Sequence, residues 1–207
     1  QSGHGTVTIG SIEKYITDTA WEKGWVKPIE VKKELKQTVG IIGAGPAGMA
    51  CAEELRKYGY QVTIYDRYDR PGGLLIYGIP NFKLEKFVVE RRTELLKESG
   101  IKFVKNFDVG KDKTLHKLKE EHDAILIATG VYKAREIEIP GNKLQNIFPA
   151  MKFLTASNRK GLGDEVKLFD DGTLNAKGKN VVVIGGGDTA MDCVRTSIRQ
   201  KAKSVKC

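Results

Sequence analysis

Two short glycine-rich segments constrain the fold of this 207-residue chain more than any other feature. The first segment, GAGPAG, has the GxGxxG pattern at Gly43, Gly45 and Gly48. The second segment, GGGDTA, has the GxGxxA variant at Gly185, Gly187 and Ala190. Each follows a run of β-branched residues and precedes a stretch of helical character, which is the context that these patterns require. The chain is therefore expected to contain two separate strand–turn–helix units.

The residue types in these segments suit the binding of a dinucleotide. The first glycine permits a tight turn out of the strand, the second lets the backbone approach a pyrophosphate, and the third small residue lets the helix pack on the strand. Free N–H groups and the helix dipole then attract the phosphates. Asp66 ends the next strand, QVTIYDR, at the spacing where an acid holds a ribose hydroxyl. For the second segment, the sequence ends before the corresponding residue can be identified.

Hydrophobic patterning predicts the remaining elements. Helices are expected over 46–58 and 87–99, and strands over 37–42, 60–66, 101–107 and 124–128. The last strand is a continuous apolar run of the kind found in fully buried parallel sheets. The intervening RYDRPGGLLIYGIPNFKLEK is rich in glycine and proline and predicts a loop.

Composition shifts divide the chain into four parts. Residues 1–36 form a helical lead-in, in which Ile9, Ile12, Ile16 and Ala20 recur at helical spacing and are expected to pack on the main domain. The other parts are a first nucleotide-binding domain over 37–157, a linker over 158–179 and the start of a second domain over 180–207. A short hairpin is predicted in the linker near Asp171 and Gly172. Because the chain lacks an initiator Met and ends on a predicted strand, we expect a fragment of a longer protein.

Composition argues against several other classes. The 40% hydrophobic content indicates a packed core rather than disorder. The net charge of +9 comes from dispersed lysines among 26 acidic residues, so nucleic-acid binding is not expected. No apolar run approaches the roughly 18 residues of a membrane span. The cysteines Cys51, Cys193 and Cys207 include no CxxC pair, which favours a reducing, cytoplasmic compartment, and the first two are expected to be small buried hydrophobes.

The sequence offers no convincing catalytic or metal-binding set. His4, His116 and His122 lie in polar contexts and are expected at the surface. A hydride transfer between two bound cofactors needs no acid or base from the protein, so this absence is compatible with redox chemistry.

With these motifs in view, the chain resembles the small (beta) subunits of bacterial NADPH-dependent glutamate synthases over essentially its whole length. Four stretches carry the resemblance: residues 43–48, RPGGLLIYGIPNFKLEK, AILIATG and GGGDTAMDCVRTSIRQ. In that family an FAD domain is interrupted by an inserted NADPH domain. The resemblance implies an α/β fold, in which a doubly wound parallel-sheet FAD domain is followed by the start of a second Rossmann-like NADPH domain. Residues 1–36 would be the tail of an iron–sulfur domain.

The resemblance also assigns roles to individual residues. The FAD pyrophosphate would face Gly43, Gly45, Ala47 and Gly48, and the adenosine ribose would meet Asp66, where many relatives carry Glu. The flavin would lie along Gly72, Gly73 and Leu74, the adenine would meet the backbone of Val109, and the cofactor would be covered by Ala128, Thr129 and Gly130. NADPH would be bound by Gly185, Gly187, Asp188, Thr189 and Ala190.

The activity implied by the resemblance is electron input. A hydride would pass from NADPH to FAD, and the electrons would continue through [4Fe–4S] clusters to an FMN-containing large subunit that makes glutamate from 2-oxoglutarate and glutamine. The cluster ligands of the family are absent from this sequence. The residues that hold the 2′-phosphate would follow Cys207, so the preference for NADPH over NADH is inherited from the family.

Other interpretations of the sequence stay open. An NADPH–ferredoxin-type oxidoreductase, or an electron-input module like that of dihydropyrimidine dehydrogenase, shares these loops and differs in its partner. A non-catalytic nucleotide-binding or assembly module would hold its cofactor without turning it over. A thioredoxin-reductase-like enzyme is disfavoured, because GGGDTAMDC offers one cysteine where that chemistry needs a pair.

Overall fold

The alternation of strands and helices along the chain builds two parallel sheets. A computed structural model describes residues 8–134 and 138–207, so His4 lies outside the described residues. The strands are β1 Thr38–Ile42, β2 Gln61–Tyr65, β3 Lys102–Val104, β4 Ala124–Ile127, β5 Asn180–Val182 and β6 Ser204–Lys206. The helices are α1 Ile9–Glu22, α2 Pro46–Lys57, α3 Leu74–Tyr77, α4 Lys86–Glu98, α5 Leu115–Glu121, α6 Ala150–Gly161, α7 Lys167–Asp170 and α8 Asp188–Arg199.

The first sheet has the strand order β3-β2-β1-β4, with all neighbours parallel. In its centre Ile41 pairs with Ile64, and both side chains are fully buried. Helix α2 buries Met49 and Ala52 in the same core. Because parallel strands need crossover connections, helices cover the sheet, as predicted for a doubly wound α/β fold. The predicted fold class is confirmed.

The second sheet is smaller and contains β5 and β6, which pair in parallel at Val181 and Val205. Helix α8 connects these strands and packs against α6. The unit is therefore the second strand–helix–strand that the glycine pattern predicts.

Strand β4 corrects one expectation, because it is only partly buried. It pairs with β1, and in the part of the chain that the structure describes no strand pairs with its other side. The side chain of Ile127 is 61% exposed as a result. The apolar run therefore predicted the strand correctly and its burial wrongly.

The N-terminal helix also differs from its prediction. Helix α1 forms, but Ile9, Ile12 and Ile16 are exposed. The helix is held instead by Arg91, which donates to the carboxylate of Asp18 (Nη2–Oδ1, 2.7 Å) and lies over the ring of Trp21. Its attachment is thus polar and aromatic rather than aliphatic.

The segment that leads to the second sheet contains helices α6 and α7 and not the predicted hairpin. Helix α6 runs through the predicted boundary at residue 158. Helix α7 ends next to Asp171, whose carboxylate accepts the Thr173 N–H in a turn, so the predicted hairpin is wrong. The segment predicted as loop after β2 contains α3, a single helical turn.

His122 is not a surface residue, which corrects another expectation. It is half-buried, its imidazole packs beside Gly40, and its Nε2 lies 2.9 Å from the hydroxyl of Tyr65. This burial lowers the pKa of His122. His116 is exposed, as expected. None of the helices in the described ranges combines the length and hydrophobicity needed to cross a bilayer.

Candidate dinucleotide sites

The first glycine segment connects β1 to α2 by a turn that only glycine permits. Gly43 has φ +111°, and a side chain there would clash with the carbonyl of Ala128. Its N–H donates to the carbonyl of Tyr65 at 2.8 Å. A side chain at Gly48 would clash with the carbonyl of Gly43, so α2 packs directly on the turn. The first and third glycines therefore fix the geometry of the loop.

The middle glycine has a different environment. Gly45 caps α2 with an ordinary φ of −74°, and no other described atom lies within 4 Å of the position that its Cβ would take. Ala47, in the first helical turn, is exposed. The N-terminus of α2 therefore faces open space, where its unpaired backbone N–H groups and positive dipole end can hold a phosphate.

Asp66 follows β2 and contacts the glycine loop. Its buried carboxylate accepts the N–H of Ala44 at 2.6 Å and the N–H of Tyr68 at 2.8 Å. A carboxylate has about four acceptor positions, so two remain for other donors. The residue predicted to meet a ribose thus lies beside the loop predicted to meet the pyrophosphate.

The predicted flavin-facing residues adjoin the same loop. The N–H of Gly72 donates to the carbonyl of Ala44 at 2.8 Å. A Cβ at Gly73 would lie 2.9 Å from the Cα of Gly45, so the two segments are in contact. Leu74 begins α3 and is partly exposed. Residues about thirty positions apart in the sequence therefore meet at one edge of the sheet.

The other predicted residues lie at the same edge. The Ala128 N–H continues the pairing of β4 by donating to the carbonyl of Ile42 at 2.8 Å, and Thr129 and Gly130 follow it at the surface. Val109 packs with the cluster formed by Ile42, Tyr65 and Leu118. Ligands of parallel α/β sheets bind outside the carboxyl ends of the strands. The structure thus brings together at that edge all of the residues predicted for the first site.

The second glycine segment repeats this arrangement between β5 and α8. Gly185 has φ +131°, and Ala190 packs beside it, 3.5 Å from the position of its Cβ. Gly187 caps α8 with φ −81°, and no described atom lies within 4 Å of the position of its Cβ. Asp188 and Thr189, in the first turn, are exposed. The two loops therefore share a positive φ at the first glycine and an open position at the second.

Comparisons with known proteins agree with this geometry. Residues 37–206 match the family described as pyridine nucleotide-disulphide oxidoreductase. The chain belongs to this family. Cys51, Cys193 and Cys207 are free thiols, and none of them belongs to a CxxC pair in this sequence.

Among individual proteins, the chain is similar to the glutamate synthase [NADPH] small chain of Azospirillum brasilense. They are 63% identical over 207 residues, which are 100% of this chain and 43% of the relative. The resemblance predicted from the sequence is confirmed. The chain is also 46% identical to the putative oxidoreductase AegA of Escherichia coli, over 99% of this chain and 31% of that protein. It therefore spans less than half the length of these curated relatives.

A solved structure shows the same fold. FprA of Mycobacterium tuberculosis in complex with NADPH matches 82% of this chain and 42% of its own with a TM-score of 0.66. The sequence identity is 21%, so this similarity concerns the fold alone.

Sequence reasoning missed the side chains that hold the flavin-facing segment in place. Lys86 is only 7% exposed, and its Nζ donates to the carbonyls of Leu75 (2.9 Å) and Ile79. Burial lowers the pKa of Lys86 to about 8. No sequence signal identifies it, because a lysine at the start of a helix usually faces solvent.

An arginine and two partners form a second missed contact. Arg70 makes a two-pronged pair with Asp164 (Nη2–Oδ1 2.7 Å, Nη1–Oδ2 3.0 Å), and Arg159 donates to the same carboxylate. The hydrogen bond from Arg70 is the main reason that the pKa of Asp164 is lowered. These contacts join the segment before Gly72 to the end of α6. The partners are 94 positions apart, so spacing could not have revealed them.

Proposed function

We propose that this chain binds FAD at the first glycine loop and NADPH at the second, and belongs to an oxidoreductase that passes a hydride from NADPH to the flavin. One observation carries the proposal. Gly45, Asp66 and Gly73 converge at the carboxyl edge of the first sheet, and a second loop of the same geometry opens at Gly187.

The chain's own residues would bind and orient the cofactors. The N-terminus of α2 would hold the FAD pyrophosphate, and Asp66 would accept from the ribose while it holds the Ala44 N–H. Gly73 and Leu74 would lie along the flavin, and Val109 and residues 128–130 would flank the adenine end. The N-terminus of α8 would hold the NADPH phosphates. A bound nicotinamide would supply the hydride and a bound flavin would accept it, so no protein acid or base is required.

The broader role follows from the named relatives. We propose that the parent protein is the small chain of a glutamate synthase, working in the cytoplasm with a large, FMN-containing subunit. Its electrons would reach that subunit through [4Fe–4S] clusters. Among the described residues no three His, Cys, Asp or Glu side chains converge as a metal site, so cluster ligands would come from elsewhere. The same proposal includes the division into a lead-in over 1–36, an FAD domain over 37–157, a linker over 158–179 and the start of an NADPH domain over 180–207.

Another oxidoreductase on the same scaffold is the second candidate. It is favoured by the 46% identity to the putative oxidoreductase AegA, which is not named as a glutamate synthase. Adding a glutamate synthase large chain distinguishes the two roles. Oxidation of NADPH that depends on glutamine and 2-oxoglutarate supports the first role, and reduction of ferredoxin without such stimulation supports the second.

Paired loop variants test the assignment of cofactors to loops. Gly45 and Gly187 occupy the same position in the two patterns, both have φ values open to any residue, and both adjoin open space. The Cβ of a valine at either position therefore meets no neighbouring side chain or backbone of the described residues, and we expect the valine to occupy the space of a pyrophosphate. Gly161→Val, at the end of α6 where a Cβ also has no neighbour within 4 Å among the described atoms, is the matched control.

We expect Gly45→Val to weaken FAD binding by about tenfold or more, which corresponds to about 1.4 kcal/mol, and to leave NADP⁺ binding unchanged. Gly187→Val should show the reverse pattern, and Gly161→Val should bind both nucleotides normally. Equilibrium binding measured by fluorescence gives the constants. Equal loss of both nucleotides in both variants, or loss of neither, would contradict the assignment.

A further inference from the structure

The two glycine loops belong to separate sheets, so their relative position depends on contacts outside those sheets. No strand of the described chain is shared between the sheets. Interfaces between two domains of one chain are usually modest in area, so the domains are expected to move relative to one another. A cofactor pair that exchanges a hydride needs a fixed separation. The residues that join α8 to the elements around the first sheet would therefore help to set the separation of the two cofactors.

One ion pair makes this connection directly. Lys83, in the loop between α3 and α4, places its Nζ 3.0 Å from Oδ1 and 3.2 Å from Oδ2 of Asp192 in α8. Asp192 is only 6% exposed, and Lys83 is its sole cationic partner within residues 8–134 and 138–207. A buried carboxylate without a partner is strongly unfavourable. Loss of the Lys83 charge with the packing kept would therefore leave a buried carboxylate uncompensated.

A second contact lies beside the first. The guanidinium of Arg199 is 3.7 Å from the ring centroid of Phe82, the residue before Lys83. Asp192 and Arg199 are seven positions apart, which places them on the same face of α8. Two neighbouring loop residues thus contact positions about two turns apart on one face of α8.

The same loop is firmly connected to the predicted flavin-facing segment. Lys86 bridges the carbonyls of Leu75 and Ile79, which precede the loop. Asn158 of α6 donates from its side-chain amide to the carbonyl of Tyr77 at 2.9 Å. Movement of residues 80–85 is therefore restrained relative to α3. A continuous path of contacts runs from Gly73 and Leu74 to α8 and its glycine loop.

We propose that Lys83 and Asp192 are positioning residues, which fix the helix of the second glycine loop against the flavin-facing segment and so set the distance for hydride transfer. The inference rests on the proposed function for its chemical role. The fixed position of α8 rests only on the Lys83–Asp192 ion pair, the contact of Arg199 with Phe82, and the hydrogen bonds of Lys86 and Asn158.

The test uses the FAD-loaded protein and three variants of the pair. Lys83→Met removes the charge and keeps the length of the side chain, Lys83→Arg keeps the charge, and Asp192→Asn neutralises the carboxylate. Lys32→Met, which removes an exposed lysine far from the loop in sequence, is the matched control. The double variant Lys83→Met/Asp192→Asn completes a double-mutant cycle.

Two measurements are made on each variant. Hydrogen exchange is followed in residues 79–85 and 188–199, and the limiting rate of flavin reduction is measured at saturating NADPH. We expect Lys83→Met and Asp192→Asn to raise exchange in both segments and to lower the limiting rate by about tenfold to a hundredfold, because small displacements of reacting groups are costly. FAD content and the Kd for NADPH should stay near those of the parent. Lys83→Arg should keep the hydrogen exchange and the limiting rate near those of the unsubstituted protein. The double variant should show no faster exchange and no lower rate than either single variant.

Unchanged exchange in both segments of Lys83→Met, or raised exchange with an unchanged limiting rate, would overturn the proposal. Failure of the proposed function is recognised separately, because the protein without substitutions would then show no flavin reduction by NADPH. Hydrogen exchange would still decide in that case whether the pair positions α8. Thermal unfolding of each variant shows whether it is folded, and Lys83→Arg provides a conservative variant if Asp192→Asn unfolds.

Discussion

The shape of the first glycine loop depends on single glycines at which neighbouring atoms leave no room for a side chain. Gly43 and Gly48 contact backbone carbonyls so closely that no side chain fits, whereas Gly45 adjoins open space. The sequence pattern predicts all three positions because each has its own steric reason. Lys86 shows the opposite case: its role depends on carbonyls that come together only in the folded chain.

The close approach at Gly48 gives a first prediction. Gly48→Ala introduces a Cβ that would clash with the carbonyl of Gly43, so α2 must shift away from β1. We expect a loss of about 1–3 kcal/mol in the free energy of unfolding, as for other overpacked sites, together with weaker FAD binding. Urea unfolding and flavin fluorescence measure the two effects. Gly10→Ala, in α1 where a Cβ meets no described atom, is the control and should be neutral or slightly stabilising.

Lys86 gives a prediction of pH dependence. Burial lowers its pKa from 10.5 to about 8, so the unfolded chain holds this proton more tightly than the folded chain does. The unfolding free energy contributed by this residue should therefore rise as the pH increases from about 8 to about 10.5. Lys86→Met removes this contribution. The difference in unfolding free energy between parent and variant, measured by urea unfolding at several pH values in this window, should grow with pH.

An unchanged difference across that window would contradict the assignment of a lowered pKa to Lys86. Comparison with Lys32→Met corrects for general effects of removing a lysine, because Lys32 is exposed.

At the scale of elements, the sequence predicts which segments are helices and strands better than it predicts their surroundings. Helix α2 and strands β1 and β2 agree with prediction to within about two residues, since glycine and proline mark their ends. The burial of β4 was predicted wrongly because an apolar run does not reveal whether a strand is central or at an edge. The short helix α3 was missed because glycine and proline dominate its segment.

Helix α8 gives a prediction about thiol reactivity. Cys193 is buried in this helix, and burial raises the pKa of its thiol to about 11, while Cys51 in α2 is partly exposed. Since the thiolate is the reactive form, Cys193 should react with a thiol reagent about tenfold more slowly than Cys51 in the folded protein. Mass spectrometry of timed labelling reactions measures both rates. Equal labelling rates of Cys193 and Cys51 under conditions in which the protein is folded would contradict the packing of α8 against α6.

At the scale of the whole molecule, two loops with one geometry stand on two sheets that are joined by α6, α8 and the loop before α4. The predicted residues of the first site could be brought together from sequence because they all follow strand ends of one parallel sheet. The contacts between the sheets could not be predicted, because Lys83 and Asp192 are 109 positions apart and belong to no shared motif. The proposed electron input depends both on the residues at the strand ends and on the contacts between the two sheets.

An anaerobic visible spectrum of the FAD-loaded protein, recorded during titration with NADPH, tests the central claim most directly. The account predicts that the flavin absorbance bleaches with about one equivalent of NADPH per flavin, because a hydride carries two electrons and a flavin accepts two. The Gly187→Val variant should keep its flavin and fail to bleach at the same NADPH concentration. A parent protein that retains flavin but never bleaches would contradict hydride transfer between the two sites and indicate a nucleotide-binding module instead.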